Sequence, residues 1–517
     1  MLNNKRLKVI LALEIVIFFL VILGILPRSV VPYFVIVLSI YLIWIPLEEG
    51  VLFFVASIPL FLAIPITANF DNFNSWRIFS IILFLKWLYP YIINLKNTKA
   101  AIAQWQPSSL FLWKNAISSS LILVLLLAIA SVDVAGDKIL AVKRIIYFIN
   151  LSLIGAPIFC LSRNKDFTKK ALSYITIPVI IVTLVGFAQL VSTYFIDIYQ
   201  FMRLWGENVQ CNQFGQQWCT IAVQLGNTWF AYYGDQLSLR MFSLFPDSHS
   251  FPIFLLLGLP AIFAWAMRKM DISVKFKDLI KTRTKLFVVW VPVIFLAVIL
   301  TGTRGFWAAS VGVVILIICV AIYMTIKKEV GASYFKFISS YVILFFMMFF
   351  VAYPIFISPQ FLLSKGDWGM FGNRIRSVID FGETSNAQRI EIWKKTLVSI
   401  KRYPLLGVGI GNYPVVLSQD LGLSKAGSSA HNLYLHIASE MGLLALIASL
   451  IFLVEFFRRI YRKFVAENDV MLATYYGVSL IFIPWVFGYL MTDVAIFDER
   501  AFLMFIISAS LLLKNPD

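Results

Sequence analysis

One short polar stretch of the chain carries two of its three histidines and a glutamate. In a helix, Asn432, His436 and Glu440 fall on one face because they are spaced four residues apart. An ionisable group such as Glu440, set among apolar residues, is expected to face protein or water rather than lipid. His431 stands at the head of this face, and an unperturbed imidazole is a suitable base at neutral pH. We therefore predict that His431 is a general base, with the other three residues in supporting or structural roles.

Two arginines stand at positions where they could contact an anion. Arg389 begins a segment with apolar residues at positions 390, 393, 397 and 400 and a Ser-x-x-Gln capping box from Ser385, which predicts an amphipathic helix in the outer membrane interface. Arg304 stands in a Gly-Thr-Arg-Gly turn between two apolar runs. Guanidinium groups bind phosphate through planar, bidentate hydrogen bonds and keep their charge. On its position alone, Arg304 is expected to reach a lipid headgroup.

A glycine-rich run and a third histidine supply further candidates. Residues 404–413 read Pro-Leu-Leu-Gly-Val-Gly-Ile-Gly-Asn-Tyr, and the glycines allow the backbone to turn tightly and to approach a ligand closely. Arg240 and His249 lie just before another apolar run. We predict Asn412, Arg240 and His249 as further candidates for contact with a substrate.

The elements that position these residues are predicted to lie in a membrane. Of the 517 residues, 60% are hydrophobic and only 14% are charged, which leaves too little polar surface to cover a soluble globule. The net charge of +17 is spread in short clusters between apolar runs, unlike the single basic face of a nucleic-acid-binding protein. We predict an all-α integral membrane protein, with one polytopic domain over residues 1–517, lipid contacts and no nucleic-acid partner.

Fourteen apolar runs are long enough to cross a bilayer as helices. The first run follows Lys5 and Arg6 like a signal peptide, but it is long and lacks a cleavage site, so it is predicted to be retained. Lys143 and Arg144, at the start of the sixth run, are predicted to be interfacial anchors. Because the twelfth and last runs are the weakest, twelve to fourteen spans are predicted from the runs at 8–26, 29–46, 50–69, 76–94, 116–135, 145–162, 171–193, 250–267, 286–302, 306–326, 337–358, 433–456, 471–491 and 500–513.

The distribution of lysine and arginine predicts the orientation. If the N-terminus is cytoplasmic, nearly every short inner loop is basic, as the positive-inside rule requires. Both termini are then inside, and residues 195–248 and 358–432 form two outer loops, of which the second is predicted to be catalytic. That loop is also basic, although loops of this length cross membranes largely regardless of charge. Cys211 and Cys219 could form a disulfide, and no cysteines have metal-ligand spacing, so no metal site is predicted.

Within residues 285–450, four of these features together resemble the bacterial O-antigen ligase and O-antigen polymerase family. They are the turn that contains Arg304, Arg389 four residues before Trp393, the glycine-rich run, and Ala-His-Asn followed by Glu-Met-Gly. Two features depart from the family. Thr303 stands where serine is common, and Pro-Asp-Ser-His ends at His249 where Pro-Asn is frequent, which weakens the assignment of Arg240 and His249.

The resemblance implies an inverting, metal-independent glycosyltransferase of the bacterial plasma membrane, without a cofactor and with its active site facing the periplasm or exterior. The donor would be a glycan on undecaprenyl diphosphate, and the acceptor a glycan, a lipid such as lipid A core, a protein or a wall polymer. Arg304 and Arg389 would bind the diphosphate, and His431 would be the catalytic residue. The donor chemistry agrees, because a diphosphate is already a good leaving group and needs fixed cations more than acid catalysis.

Three alternatives stay open at the level of sequence. A polymerase of the same family uses the same donor and differs only in its acceptor. A flippase for lipid-linked oligosaccharides would also need a basic cavity, but such transporters have charges deep in the membrane and two related halves, and no internal repeat is visible here. A scaffold protein would leave the combined motifs unexplained.

Overall fold

The computed structural model describes residues 5–66, 73–94, 115–215, 228–233, 236–268, 285–329, 331–363, 384–419 and 428–513. Helices dominate these ranges, and every predicted apolar run corresponds to one helix or to two consecutive helices. The predicted all-α membrane fold is confirmed. One small antiparallel hairpin, which the sequence analysis did not predict, is formed by β1 (Phe230–Tyr233) and β2 (Gln236–Leu239).

The α-helices are numbered in chain order. The first half contains α1 (Lys5–Ile22), α2 (Val31–Trp44), α3 (Leu47–Ser57), α4 (Ser75–Asn94), α5 (Ala116–Ala130), α6 (Lys138–Ser152), α7 (Gly155–Leu161), α8 (Lys165–Ser192), α9 (Ile198–Phe201), α10 (Cys211–Phe214) and α11 (Ser250–Met267). The second half contains α12 (Lys285–Leu300), α13 (Arg304–Ile326), α14 (Ala332–Ser340), α15 (Val342–Phe356), α16 (Thr384–Arg402), α17 (Leu433–Met441), α18 (Leu443–Ala466), α19 (Val470–Tyr489) and α20 (Glu499–Leu512).

Six helical stretches in the described ranges are long and apolar enough to cross a membrane. Side chains on the outside of the bundle are correspondingly apolar, and Trp44 and Phe350 are each 83% exposed. Exposed apolar side chains suit a lipid environment, and helices also satisfy their backbone hydrogen bonds internally there. The chain is therefore a membrane protein.

Helices α11 and α19 form the centre of the bundle. In each, 89% of the most apolar window is buried inside the protein, so their side chains contact protein on all sides rather than lipid. The ring of Tyr489, at the end of α19, stacks on Phe306 near the start of α13 with 3.7 Å between centroids. These two buried helices and α13 thus bring their ends together at one end of the bundle, here called the site end.

Buried glutamines fix the chain around the hairpin. The side chain of Gln360 accepts a hydrogen bond from Leu239 N at 2.8 Å. Gln189, in α8, accepts from Phe242 N at 3.1 Å and from Ser243 N at 3.0 Å. Because each unpaired buried amide would be costly, these bonds hold the backbone on both sides of Arg240 in one path.

The predicted run 433–456 is two helices rather than one. The break falls at Gly442, whose φ of +88° and ψ of 170° favour glycine. A Cβ atom at this position would lie 2.0 Å from Leu405 O, and Leu443 N donates to Pro404 O at 2.8 Å. The glycine therefore lets the start of the glycine-rich run pass directly against the elbow between α17 and α18.

Leu397, on the apolar stripe predicted for α16, is 55% exposed, whereas Thr396, which lies outside that stripe, is fully buried. Thr396 is buried because its hydroxyl hydrogen-bonds with the hydroxyl of Tyr413 at 2.7 Å, a polar contact that hydropathy alone does not reveal. The helix begins at Thr384, one residue before Ser385, the predicted N-cap.

Cys211 is disulfide-bonded. Cys219, with which a disulfide was predicted, lies outside the described residues. A disulfide is typical of an oxidising compartment, which fits the prediction that this part of the chain is outside the cytoplasm.

Candidate functional site

Four polar side chains form a connected network at the site end. His249 Nδ1 lies 3.0 Å from Asp493 Oδ2 and 2.9 Å from the hydroxyl of Tyr489. On the other side of the ring, Nε2 lies 3.4 Å from Arg240 Nη2. Because the guanidinium can only donate, Nε2 accepts and the proton of a neutral ring lies on Nδ1, facing the carboxylate. Asp493 therefore orients the ring of His249, and the ring in turn orients the guanidinium of Arg240.

Arg240 is held by backbone as well as by His249. Its Nε donates to Thr301 O at 3.1 Å, and Nη2 donates to Thr303 Oγ1 at 3.3 Å. The Thr303 hydroxyl in turn donates to Ser248 O at 3.0 Å. Thr303 and His249, which lie where the sequence departs from the family pattern, thus both contact Arg240.

Arg304 is half-buried at the first position of α13, directly after Thr303. A Cβ atom on the next residue, Gly305, would lie 2.3 Å from the Thr492 hydroxyl and 2.9 Å from the Tyr489 ring. The absence of a side chain at Gly305 therefore allows the start of α13 to pack against the segment that carries Asp493.

Arg389 lies on the first turns of α16, and this helix is tied to the segment before His431. Trp393, one turn further along, donates from its indole N–H to Ala430 O at 2.9 Å. Arg389 itself is half-buried and donates no hydrogen bond to the described residues. Its guanidinium donors are therefore available for a ligand at the position that the helix gives them.

His431 has an unusual backbone and an unpaired ring atom. Its φ is +45°, a left-handed conformation that costs a non-glycine residue about 1 to 3 kcal/mol and persists only when the surroundings impose it. Its Nδ1 is buried and has no hydrogen-bond partner within the described residues. Burial lowers the pKa of this imidazole below its ordinary value, and the charge of Arg389 lowers it further, while Asp493 opposes both. At pH 7 the ring is therefore neutral and has a lone pair that can accept a proton.

Asp493 joins the two histidines electrostatically. Burial alone would raise the pKa of this carboxyl, but His249, His431 and Arg389 outweigh burial and lower it well below its ordinary range. The carboxylate is only 7% exposed. Such a buried charge requires cationic or hydrogen-bonding neighbours, and these neighbours are residues that the sequence analysis had already selected.

The remaining predicted residues have mainly structural contacts. His436 Nε2 lies 3.5 Å from Glu440 Oε1, and Glu440 also accepts a hydrogen bond from Tyr413 N at 3.1 Å. Asn432 caps α17 by accepting from Leu435 N at 3.0 Å. It therefore begins the helix rather than continuing the predicted polar face.

Asn412 connects the glycine-rich run to the first half of the chain. Its side chain accepts from Asp137 N at 2.7 Å and donates to Asp137 O at 3.2 Å. Ile410 N donates to Ser131 Oγ at 3.1 Å. The turn between α5 and α6 thus fixes the glycine-rich run, a role that the apolar pattern of these helices did not predict.

Asp493 and Tyr489 were not predicted from the sequence. A usable signal was the position of Asp493 just after the predicted run 471–491, at the same end of the bundle as the arginines. Among the described residues, no three histidine, cysteine or carboxylate side chains are placed to hold a metal ion together.

Residues 288–450 match the O-antigen ligase family, so the resemblance inferred from the motifs is confirmed. The matched segment runs from α12 into α18 and contains Arg304, Arg389 and His431. Arg240, His249 and Asp493 lie outside it. No curated protein matches the chain.

Proposed function

Because this chain carries the domain of the O-antigen ligase family, we propose that it transfers a glycan from undecaprenyl diphosphate to an acceptor hydroxyl on the outer side of the bacterial plasma membrane. The observation that carries the proposal is the electrostatic grouping of the buried His431 imidazole with Arg389 and the buried carboxylate of Asp493. His431 supplies the base, and Arg389 and Arg304 supply fixed positive charge for a diphosphate.

An apolar groove supports a lipid-linked donor. The groove has a volume of about 570 Å³ and lies between α13 and α19, where small residues such as Ala308, Gly312 and Gly488 line it. Trp393 and Asn432 line it too, next to Arg389 and His431 respectively. A polyprenyl chain in the groove would leave its diphosphate beside the arginines.

The proposed reaction is a single displacement. The imidazole of His431 takes the proton of the acceptor hydroxyl as its oxygen attacks the anomeric carbon. The bond between that carbon and the diphosphate oxygen breaks, and its electron pair leaves with the lipid diphosphate. Arg304 and Arg389 neutralise the growing charge, as preorganised donors do in other transfer reactions. Attack from the face opposite the leaving group inverts the anomeric configuration.

Substitution of Arg389 and His431 in the full-length protein tests the proposal. His431→Ala should transfer about 100- to 10,000-fold more slowly and accumulate unreacted lipid-linked glycan, because base catalysis is removed. Arg389→Ala should cost about 100- to 1,000-fold, and Arg389→Lys should recover little because lysine lacks the bidentate fork.

Lys395→Ala is the matched control, since this cation lies on the same helix but is exposed and paired with Glu391 at 3.2 Å. It should transfer at the parent rate. A folded His431→Ala protein with parental turnover would remove His431 from the mechanism. Full activity in Arg389→Lys would reduce the role of Arg389 to a general positive potential.

A further inference from the structure

Two half-buried arginines outside the proposed donor site also have unused hydrogen-bond donors. Arg144, in α6, and Arg77, in α4, donate no hydrogen bond to the described residues, and neither is in an ion pair with them. In Arg77, the Nε atom is buried without a partner. Water can satisfy the donors that it reaches, but a buried donor without a partner, such as Arg77 Nε, costs free energy unless a ligand supplies an acceptor.

Aromatic rings hold both guanidinium groups in place. Arg144 Cζ lies 5.7, 5.3 and 5.6 Å from the ring centroids of Tyr147, Phe148 and Phe497. Arg77 Cζ lies 5.4 Å from the centroid of the same Tyr147. Cation–π contacts restrict a guanidinium without using its N–H groups. The two arginines are therefore preorganised cations whose donors stay available, a combination that suits a phosphate or a carboxylate.

Arg144 also lies beside the glycine-rich run and near His436. A Cβ atom on Gly411 would lie 3.4 Å from Arg144 Cβ, so the glycine-rich run passes beside the arginine. Phe497, which contacts Arg144, lies 5.8 Å from the His436 ring, centroid to centroid. Arg389, in contrast, is tied through Trp393 to the segment before His431. Arg144 and Arg389 thus approach the polar stretch 430–442 at different points.

We propose that Arg144 and Arg77 form a second anion site, which binds a phosphate or carboxylate group carried by the acceptor glycan. This inference rests on the proposed function, because it assigns the donor diphosphate to Arg389 and Arg304 and leaves the second pair for the acceptor. It specifies the acceptor class as an anionic glycan, which the motifs did not reveal.

Binding of two probes to the purified full-length protein tests the inference. Mannose 6-phosphate represents an anionic acceptor, uncharged mannose is its control, and geranyl diphosphate represents the donor. Arg144→Gln and Arg77→Gln should each weaken mannose 6-phosphate binding about tenfold or more, since a hydrogen bond to a charged group contributes more than about 1.4 kcal/mol. Neither should change geranyl diphosphate binding, which Arg389→Gln should weaken.

Lys143→Gln is the matched control, because Lys143 is the neighbouring cation on α6 but is exposed. It should leave both probes unaffected. If Arg144→Gln unfolds, Arg144→Lys keeps the charge and should retain part of the mannose 6-phosphate affinity. Thermal unfolding of each variant separates lost binding from lost structure.

Three results would overturn the acceptor site. Unchanged mannose 6-phosphate binding in both glutamine variants would mean that the pair only packs against aromatic rings. An equal loss of geranyl diphosphate binding would place the pair in the donor site. Loss of mannose 6-phosphate binding in nanodiscs of phosphatidylglycerol, but not of phosphatidylcholine, would identify a lipid headgroup as the occupant. Failure of the proposed function is distinct, because geranyl diphosphate would then not respond to Arg389→Gln.

Discussion

Replacement of Gly442 by alanine should destabilise the protein through one close contact. At φ +88° and ψ 170°, a residue with a Cβ atom costs about 1 to 3 kcal/mol in backbone strain. The added Cβ would also lie 2.0 Å from Leu405 O and 2.4 Å from Leu405 C, so the backbone of the glycine-rich run has to move. We expect a total loss of about 2 to 4 kcal/mol in the free energy of unfolding, near the upper end for single substitutions.

The same displacement should reduce activity, because the elbow supports the turn from Gly407 to Gly411 and the helix that follows His431. Thermal unfolding in detergent and glycan transfer, measured on the same preparation, check both effects. Gly331→Ala is the control: its Cβ atom would lie 3.4 Å or more from any neighbour, so both readouts should match the parent. If Gly442→Ala unfolded at the parental temperature, strain at the elbow would not hold the glycine-rich run.

Three further predictions concern the site and its orientation. Transfer should decline as the pH falls through the pKa of His431, which lies below 6.5, because the base must be neutral. Asp493→Asn removes the carboxylate that raises this pKa, so the midpoint of the pH profile should move to lower pH. A shift of the midpoint to higher pH would contradict the electrostatic coupling of the two residues. Trp393→Phe keeps the ring but loses the bond to Ala430, and should slow transfer about fivefold to tenfold, the effect of one hydrogen bond of about 1 to 1.4 kcal/mol; parental turnover would show that the bond does not position Arg389. A cysteine in place of Lys395 should react with a membrane-impermeant thiol reagent in intact cells, whereas reaction only after lysis would reverse the proposed topology.

The helical bundle could be predicted from sequence because long apolar runs mark helices that are removed from water, whether they face lipid or the interior of the bundle. Each predicted apolar run corresponds to helix in the described ranges, including the weak runs that became α17 with α18, and α20. The elbow at Gly442 could not be predicted in this way, since it depends on the close approach of Leu405, a residue distant in sequence. The burial of Thr396 could not be predicted for a similar reason, because it accompanies a hydrogen bond with the hydroxyl of Tyr413 on another segment.

The candidate site could be predicted only as far as its residues carried a recognisable local motif. Arg304, Arg389 and His431 lie in short characteristic segments, whereas Asp493 is a single acidic residue after a span and Arg144 has the sequence context of an interfacial anchor. Their importance arises from contacts between distant segments, such as the 3.0 Å approach of His249 to Asp493. Pattern and spacing do not encode such pairings.

The attachment of the glycine-rich run to the turn between α5 and α6 bears on how the protein can be divided. Gly409 lies so close to Ala135 that a Cβ atom would approach it to 2.5 Å, and Asn412 hydrogen-bonds with Asp137 on both its donor and acceptor sides. A fragment limited to residues 288–450 would lack this template. Grafting that segment onto another scaffold should therefore yield an inactive chimera. Co-expression of the first half of the chain (α1–α11) and the second half (α12–α20) as separate polypeptides should restore transfer, because the interface can reassemble.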